Sequence, residues 1–485
     1  MIITLIIGPH KLQVFPSLPN DLKEELKEEL TYTVKNYMFT QAYKNYAWDG
    51  KKCLFYQDQT APAGLSRRIT RFFEEKNYHI NIKFLKDYPP CGNTNLIGIQ
   101  LDDFQLKSIR AAIDNRYGII HAPIRSGKTE IISGIINSIN QYPVWVVTSA
   151  SQGGKEVVTQ TQRNISLRLG RPIGLFSEGR FEESDIVVTS YEALKHLIPK
   201  KDKKKSERLL ERNEKILESV VASKVLLLDE CHHAFSDKSN KIISLFKNIG
   251  YKIGLSGTPK PTGATKLEVE SGIGPIIAKG NFNSLIKSGR LAKPLVFIYD
   301  LPEDWFPSVT YSFEYQDIYW SRVVTNELRN RFIAEAAKSL MEKKKRVYII
   351  VRRRDHGDIL QQLLPESVYI EGDCRTERRK WYYEEINAGR LPCIISTVGK
   401  EGLNIPKLDA VINAEGLSSQ VATVQKMRSL TAAEGKKYGI VIDFIDKGKY
   451  LYDHSIDRLK QYTKHKEFIV KRKVVPGSYF DNKDS

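Results

Sequence analysis

From about residue 117 the chain alternates short apolar runs with segments of helical period. Tyr117–Ala122, Val144–Ser149, Asp185–Ser190, Lys224–Asp229 and Tyr251–Ser256 are apolar at nearly every position. Such runs fit parallel strands covered by helices on both faces. The stretch from Leu291 to about Asn330 breaks the rhythm and carries Trp305, Tyr315, Tyr319 and Trp320. The rhythm resumes with Arg346–Val351, Ser367–Glu371, Cys393–Val398, Ala410–Ala414 and Tyr438–Phe444. Two parallel-sheet α/β units in tandem follow from this pattern.

The first 97 residues read differently. The opening MIITLIIGPH has no basic flank and no small-residue cleavage site, so it predicts a β-strand rather than a signal peptide. Charged helices are expected at Asp21–Leu30 and Leu65–Lys76, with the turn-rich YAWDGKKCLFY between them. The expected organisation is a small α+β domain at 1–97. Lobe 1 follows at 98–290, lobe 2 at 291–462, and a basic tail at 463–485.

Composition narrows the class. The 485 residues are 41% hydrophobic, enough for real cores, so a wholly disordered chain is excluded. We find no apolar run of the roughly 18 residues that a membrane span needs. The five cysteines are scattered without a CxxC pair. That argues against zinc clusters and a disulfide framework, and fits a reducing cytoplasm. The 75 Lys+Arg against 57 Asp+Glu leave a net charge of +18, which suggests a polyanionic partner. Half of this excess falls in 98–290, and four units lie in Lys200–Lys215. That stretch sits in a basic insertion at 199–218, read either as a prong against duplex DNA or as a solvated face. Arg352 and Arg353, directly after a lobe 2 strand, are candidates for phosphate contact.

Candidate chemistry sits at strand ends. Ala122-Pro-Ile-Arg125-Ser126-Gly127-Lys128-Thr129 follows a strand and opens a helical pattern. This is the context of a phosphate-binding loop, with Glu130 next in the helix. Its N–H groups would cradle phosphate, Lys128 would reach the β- and γ-phosphates, and Thr129 would hold Mg²⁺. Asp229-Glu230-Cys231-His232 closes the strand KVLLLD. Asp229 would hold the Mg²⁺ through its hydration shell, and Glu230 would orient or deprotonate the attacking water. Ser256-Gly257-Thr258-Pro259 ends the next strand, and its hydroxyls could couple nucleotide state to the second lobe.

A P-loop, a DExH box and an SGT motif in this order resemble the superfamily 2 helicases. The resemblance implies two RecA-like lobes with ATP and Mg²⁺ as cofactors. It implies that Phe104 and Gln105 read adenine, and that His232 joins Ser256 and Thr258 in coupling. It implies that Thr189, Ser190 and Tyr191 contact the nucleic-acid backbone. In lobe 2 it makes Thr397 a nucleic-acid contact and places Gly402 and Asn404 at the nucleotide. Gln425 would also face the nucleotide. Trp48-Asp49-Gly50 and Pro62-Ala63-Gly64-Leu65, with the DECH form of the box, are similar to the phage UvsW-type recombination helicases. On that basis the 1–97 domain is read as nucleic-acid-binding and Trp48 as a nucleic-acid candidate. One departure stands out. Where the family reads Gln-x-x-Gly-Arg-x-x-Arg, this chain has Gln425-Lys-Met-Arg428-Ser429-Leu-Thr-Ala432. Either Arg428 serves as the arginine finger through a shifted backbone, or turnover is slow.

The resulting expectation is a monomeric ATP-dependent DNA helicase that remodels branched DNA. Its setting would be a cytoplasm, the host's if phage-encoded, with single-strand-binding or recombination proteins as further partners. The alternatives are a nucleic-acid clamp or strand annealer with weak ATPase, and an RNA helicase.

Overall fold

The computed structural model describes residues 2–123, 126–148, 154–177, 180–197, 207–235, 237–257, 265–281, 285–286, 292–308, 314–371, 374, 376–397, 408–418, 438–464 and 466–481. The chain divides into two compact units, Met1–Gly280 and Asn281–Ser485.

Unit 1 holds the α+β domain and the first RecA-like lobe. The α+β domain has a four-stranded sheet in the spatial order Thr60–Pro62, Lys11–Phe15, Ile2–Ile7, His79–Phe84. Helices Asn20–Glu29 and Ser66–Glu75 lie close to the expected bounds. Leu22, Leu26, Ile69 and Phe73 bury their apolar stripes in this domain's core. The domain is docked on lobe 1 rather than tethered to it. The Tyr117 hydroxyl donates to the Gly8 carbonyl at 3.1 Å. Arg68 bridges Glu29 at 2.5 Å and Glu270 at 2.7 Å. Gly64 approaches so closely that a Cβ there would stand 2.2 Å from the Glu270 carbonyl oxygen.

The lobe 1 sheet has eight strands. Their order is Arg180–Glu182, Gly174–Ser177, Ile186–Ser190, Val144–Thr148, Val225–Asp229, Tyr251–Ser256, Tyr117–His121, Ile276–Lys279. All neighbours are parallel except the first pair. The central strands VWVVT and YKIGLS are buried at every position, as two-faced coverage demands. Helix Glu207–Ala222 brings part of the expected basic insertion into the lobe itself. Ile216 and Val220 are buried beside Leu226, and Trp145 Nε1 donates to Ser219 Oγ at 3.3 Å. Residues 198–206 lie outside the described set.

Unit 2 carries a seven-stranded, all-parallel sheet. The order is Ser367–Ile370, Cys393–Ser396, Val347–Ile350, Ala410–Asn413, Tyr438–Ile445, Lys293–Asp300, Ile469–Val474. The architecture is therefore an α+β domain followed by tandem RecA-like lobes. Two expectations need correction here. The interrupting stretch after Leu291 contributes an inner strand, Lys293–Asp300. The basic tail at 463–485 is in part structural. Ile469–Val474 is the sheet's edge strand, and Val475 and Phe480 are buried beside Trp305. The run Lys471-Arg472-Lys473 hid this strand, because an edge strand tolerates charge that an inner strand would not.

A buried polar network anchors the last long helix, Leu451–Lys464, to the lobe 2 sheet. Arg458 donates from Nε to both Asp443 oxygens at 3.1 Å, and from Nη2 to the Phe444 carbonyl at 2.8 Å. Tyr462 and Asn413 donate to the same Asp443 at 2.8 and 2.9 Å. Arg329, wholly buried, pairs with Asp446 at 2.7 Å. These charges are tolerable inside because each pair is closed by further hydrogen bonds.

Candidate nucleotide site

Lys128, Asp229 and Ser256 stand at the C-terminal ends of, or just beyond, strands of one parallel sheet, where open α/β sheets place ligands. Helix Lys128–Ile139 starts directly at the loop, with Gly127 in the left-handed region at φ +76°. A Cβ there would stand 2.2 Å from Gln105 Nε2 and 3.0 Å from Glu130 Oε2. Only glycine fits this turn without a shift. Ser126 is buried, and its Oγ has no partner among the described residues.

The Lys128 ammonium is hydrogen-bonded to Glu230 Oε1 and lies 3.7 Å from Asp229 Oδ1. The other Glu230 oxygen, Oε2, lies 3.4 Å from Ser256 Oγ and 3.4 Å from His232 Nδ1. His232 Nδ1 and Ser256 Oγ are 3.0 Å apart. One carboxylate thus joins the P-loop, the DECH segment and the SGT strand. The Glu230 backbone sits at φ +48°. A side-chain-bearing residue pays on the order of 1–3 kcal/mol to stay there, and it persists where surrounding contacts hold it. Those contacts here are Lys128, Ser256, His232 and the bond from the Glu230 N–H to Asp229 Oδ1 at 3.0 Å. Cys231 points the other way. It is fully buried against Gly254, and burial pushes its thiol well up. It is not a reactive group.

The donor set suits a magnesium nucleotide. A helix start with its ammonium and the half-buried Thr129 lies at the loop, and the Asp229 carboxylate stands 3.7 Å from that ammonium.

Other expected residues have different placements. Gln105 is wholly buried and occupied at both ends of its amide. Its Oε1 accepts from the Asp102 N–H at 3.0 Å, closing a capping box, and its Nε2 donates to the Ser126 carbonyl at 3.1 Å. It acts here as a strut under the P-loop. Phe104 packs on the lobe core, with its ring 2.9 Å from where a Cβ on Gly280 would lie. Glu130 is held by Arg168 at 3.2 Å, a partner that no sequence signal marks.

Thr189, Ser190 and Tyr191, expected to contact the nucleic-acid backbone, are all buried. Thr189 Oγ1 donates to the Phe176 carbonyl at 2.8 Å, and Ser190 Oγ caps helix Tyr191–Lys195. Burial raises the Tyr191 phenol well above its usual value, so it stays neutral. Trp48 is half-buried and donates from its indole to the Lys51 carbonyl at 2.6 Å, which makes it a turn brace.

In unit 2, Arg352 and Arg353 are exposed after strand Val347–Ile350, and the Arg353 guanidinium donates to Gln316 Oε1. Thr397 lies half-buried just past strand Cys393–Ser396. Arg125, Thr258, Gly402, Asn404, Gln425 and Arg428 lie outside the described residues.

Comparison with known proteins agrees with this architecture. A family model described as the type III restriction enzyme res subunit matches residues 98–261, and the helicase conserved C-terminal domain matches 330–429. The chain belongs to the superfamily 2 helicases. A third match, the N-terminal domain of the DNA helicase UvsW, spans residues 16–83. Within the superfamily the chain is related to the phage UvsW-type helicases.

The ATP-dependent DNA helicase uvsW of Enterobacteria phage T4 is 24% identical over 52% of this chain and 54% of its own length. The chain thus spans about half of that relative. A putative helicase of Sulfolobus islandicus filamentous virus is 25% identical over 79% of this chain and 70% of its own. The solved structure of the ATP-dependent Type ISP restriction-modification enzyme LlaBIII bound to DNA shares the fold. Its TM-score is 0.57 at 14% identity, over 86% of this chain and 35% of the other.

Proposed function

We propose that the chain is an ATP-dependent DNA helicase or translocase that remodels branched DNA such as junctions, forks and D-loops. The observation that carries the reading is the single carboxylate of Glu230, in contact with Lys128 of the P-loop and Ser256 of the SGT strand. An ATPase that drives movement needs its hydrolytic group tied to both nucleotide and transmission elements.

With Mg-ATP bound, the metal would offset negative charge developing on the phosphates. Thr129 and Asp229 would hold it. Lys128 has to leave Glu230 to meet the phosphates. That frees Glu230 to accept a proton from, or orient, the attacking water. Ser256 and His232 feel the same exchange, because both lie on the other oxygen of Glu230. Lobe 2 would supply Arg428 as the cation on the transferred phosphoryl. Backbone-directed binding implies little sequence preference and strong salt dependence. The similarity to UvsW supports branched DNA as the substrate class.

The test is ATP hydrolysis and strand separation on a matched panel: Holliday junction, fork, 3′-tailed duplex and RNA duplex. Preference for the branched substrates is expected. Lys128→Ala and Glu230→Gln should each abolish DNA-stimulated hydrolysis. Normal hydrolysis in either variant would sink the site assignment. Equal activity on the tailed duplex would argue against branched DNA, and activity on RNA alone would favour an RNA helicase.

A further inference from the structure

We propose that residues 34–50 of the α+β domain are a stacking platform for unpaired nucleotides, separate from the motor. The inference rests on the DNA-remodelling reading above and adds where single-stranded bases would be held.

The segment is an excursion between two short paired strands, Thr31–Thr33 and Lys51–Cys53. The Val34 N–H donates to the Gly50 carbonyl at 2.9 Å and closes its neck. Inside, the Tyr37 and Tyr43 rings meet edge to face at 4.7 Å. Thr40 caps the short helix Gln41–Lys44, and the Ala47 N–H returns to the Ala42 carbonyl at 2.9 Å. Trp48 braces the exit through Lys51. Gly50, at φ +82°, is required because a Cβ would lie 2.1 Å from the Tyr37 ring. The frame is therefore built from its own contacts.

What the frame displays is unusual. Tyr46 is 97% exposed and Phe39 is 77% exposed. Among the described residues neither ring meets another ring, and the Tyr46 hydroxyl has no partner. Tyr46 also sits at φ +55°, which an aromatic residue adopts only at a cost. A strained backbone that presents a bare aromatic to solvent points to a ligand for that ring. Charge identifies the ligand. Lys35, Lys44, Lys51 and Lys52 are exposed within or directly after this segment, and its one carboxylate is Asp49. Aromatic faces for bases and ammonium groups for phosphates are the two requirements of single-strand binding. Paired bases keep their faces stacked on each other, so the rings favour unpaired ones. An apolar protein partner would have no use for four lysines.

The experiment uses the full chain and fluorescein-labelled oligo-dT and duplex of equal length, read by anisotropy. Phe39→Ala and Tyr46→Ala should each weaken oligo-dT binding by about tenfold, with duplex binding and DNA-independent ATP hydrolysis unchanged. Tyr46→Trp should restore affinity. Reversing Lys44, Lys51 and Lys52 should reduce the salt slope by about 2. The inference is overturned if the double aromatic variant binds oligo-dT like wild type while wild-type ATPase is DNA-stimulated. That outcome would make the patch a docking site for protein. Equal losses on duplex and oligo-dT would also overturn it. If the wild type neither binds DNA nor is stimulated by it, the helicase reading itself has failed, and the platform with it.

Discussion

Replacing Gly127 by alanine probes the geometry on which nucleotide binding depends. The new Cβ meets two separate penalties. At φ +76° an L-residue costs roughly 1–2 kcal/mol. The Cβ would also stand 2.2 Å from Gln105 Nε2, and Gln105 is wholly buried and cannot swing into solvent. Its displacement strands the Ser126 carbonyl or the Asp102 N–H, at about 1–3 kcal/mol for a buried unsatisfied group. The total is about 2–5 kcal/mol, or roughly 4–10 °C in the melting of a unit this size. Calorimetry of the full chain, with titration of a fluorescent ATP analogue, reads both fold and site. Gln105→Ala separates the two penalties. In that background Gly127→Ala should cost only the backbone share of about 1–2 kcal/mol, so the pair should be non-additive by about 1 kcal/mol or more. Strict additivity, or a Gly127→Ala protein with unchanged melting and ATP affinity, would falsify the strut assigned to Gln105.

Ser256→Ala should leave ATP affinity intact and lower the DNA-stimulated kcat by roughly fivefold, the worth of about one hydrogen bond. Steady-state kinetics with saturating DNA checks this. Arg458→Ala should destabilise the protein by about 3–5 kcal/mol, because it leaves Asp443 buried without its charge partner; denaturant unfolding measures it. His10 bonds to the Phe246 carbonyl at 2.9 Å. Burial, with the charges of Lys252 and Lys247, lowers its pKa from 6.5 to about 4. The unfolded chain therefore binds the extra proton, and the stability that His10 contributes is present above pH 6.5. It is lost as pH falls from 6.5 towards 4, by up to about 3 kcal/mol. Melting followed from pH 7 to 4.5 should fall less steeply in His10→Gln; an identical slope would refute the assignment.

Much of the fold was legible because its signals are local. An inner parallel strand is apolar on both faces, so VWVVT and KVLLLD announce themselves. The P-loop and DECH segment are contiguous in sequence, and their strand context follows from the same pattern. The edge elements were harder to read. Ile469–Val474 and Arg180–Glu182 have one bare side, so charge is allowed there and periodicity fades. Helix Glu207–Ala222 reads as part of a charged insertion, since among its described side chains only a narrow stripe including Ile216 and Val220 turns inward.

For the site, the sequence by itself nominated the residues that the proposed chemistry uses. Lys128, Thr129, Asp229, Glu230 and Ser256 follow from motif and position. The tertiary structure decided what each side chain touches. It set Gln105 as a strut, buried Thr189 and Tyr191, paired Glu130 with Arg168, and put one oxygen of Glu230 on Lys128 and the other beside Ser256. Residue type and order along the chain fix the menu of possible bonds. The choice among them depends on distance between segments about a hundred residues apart, and only the packed sheet supplies that distance.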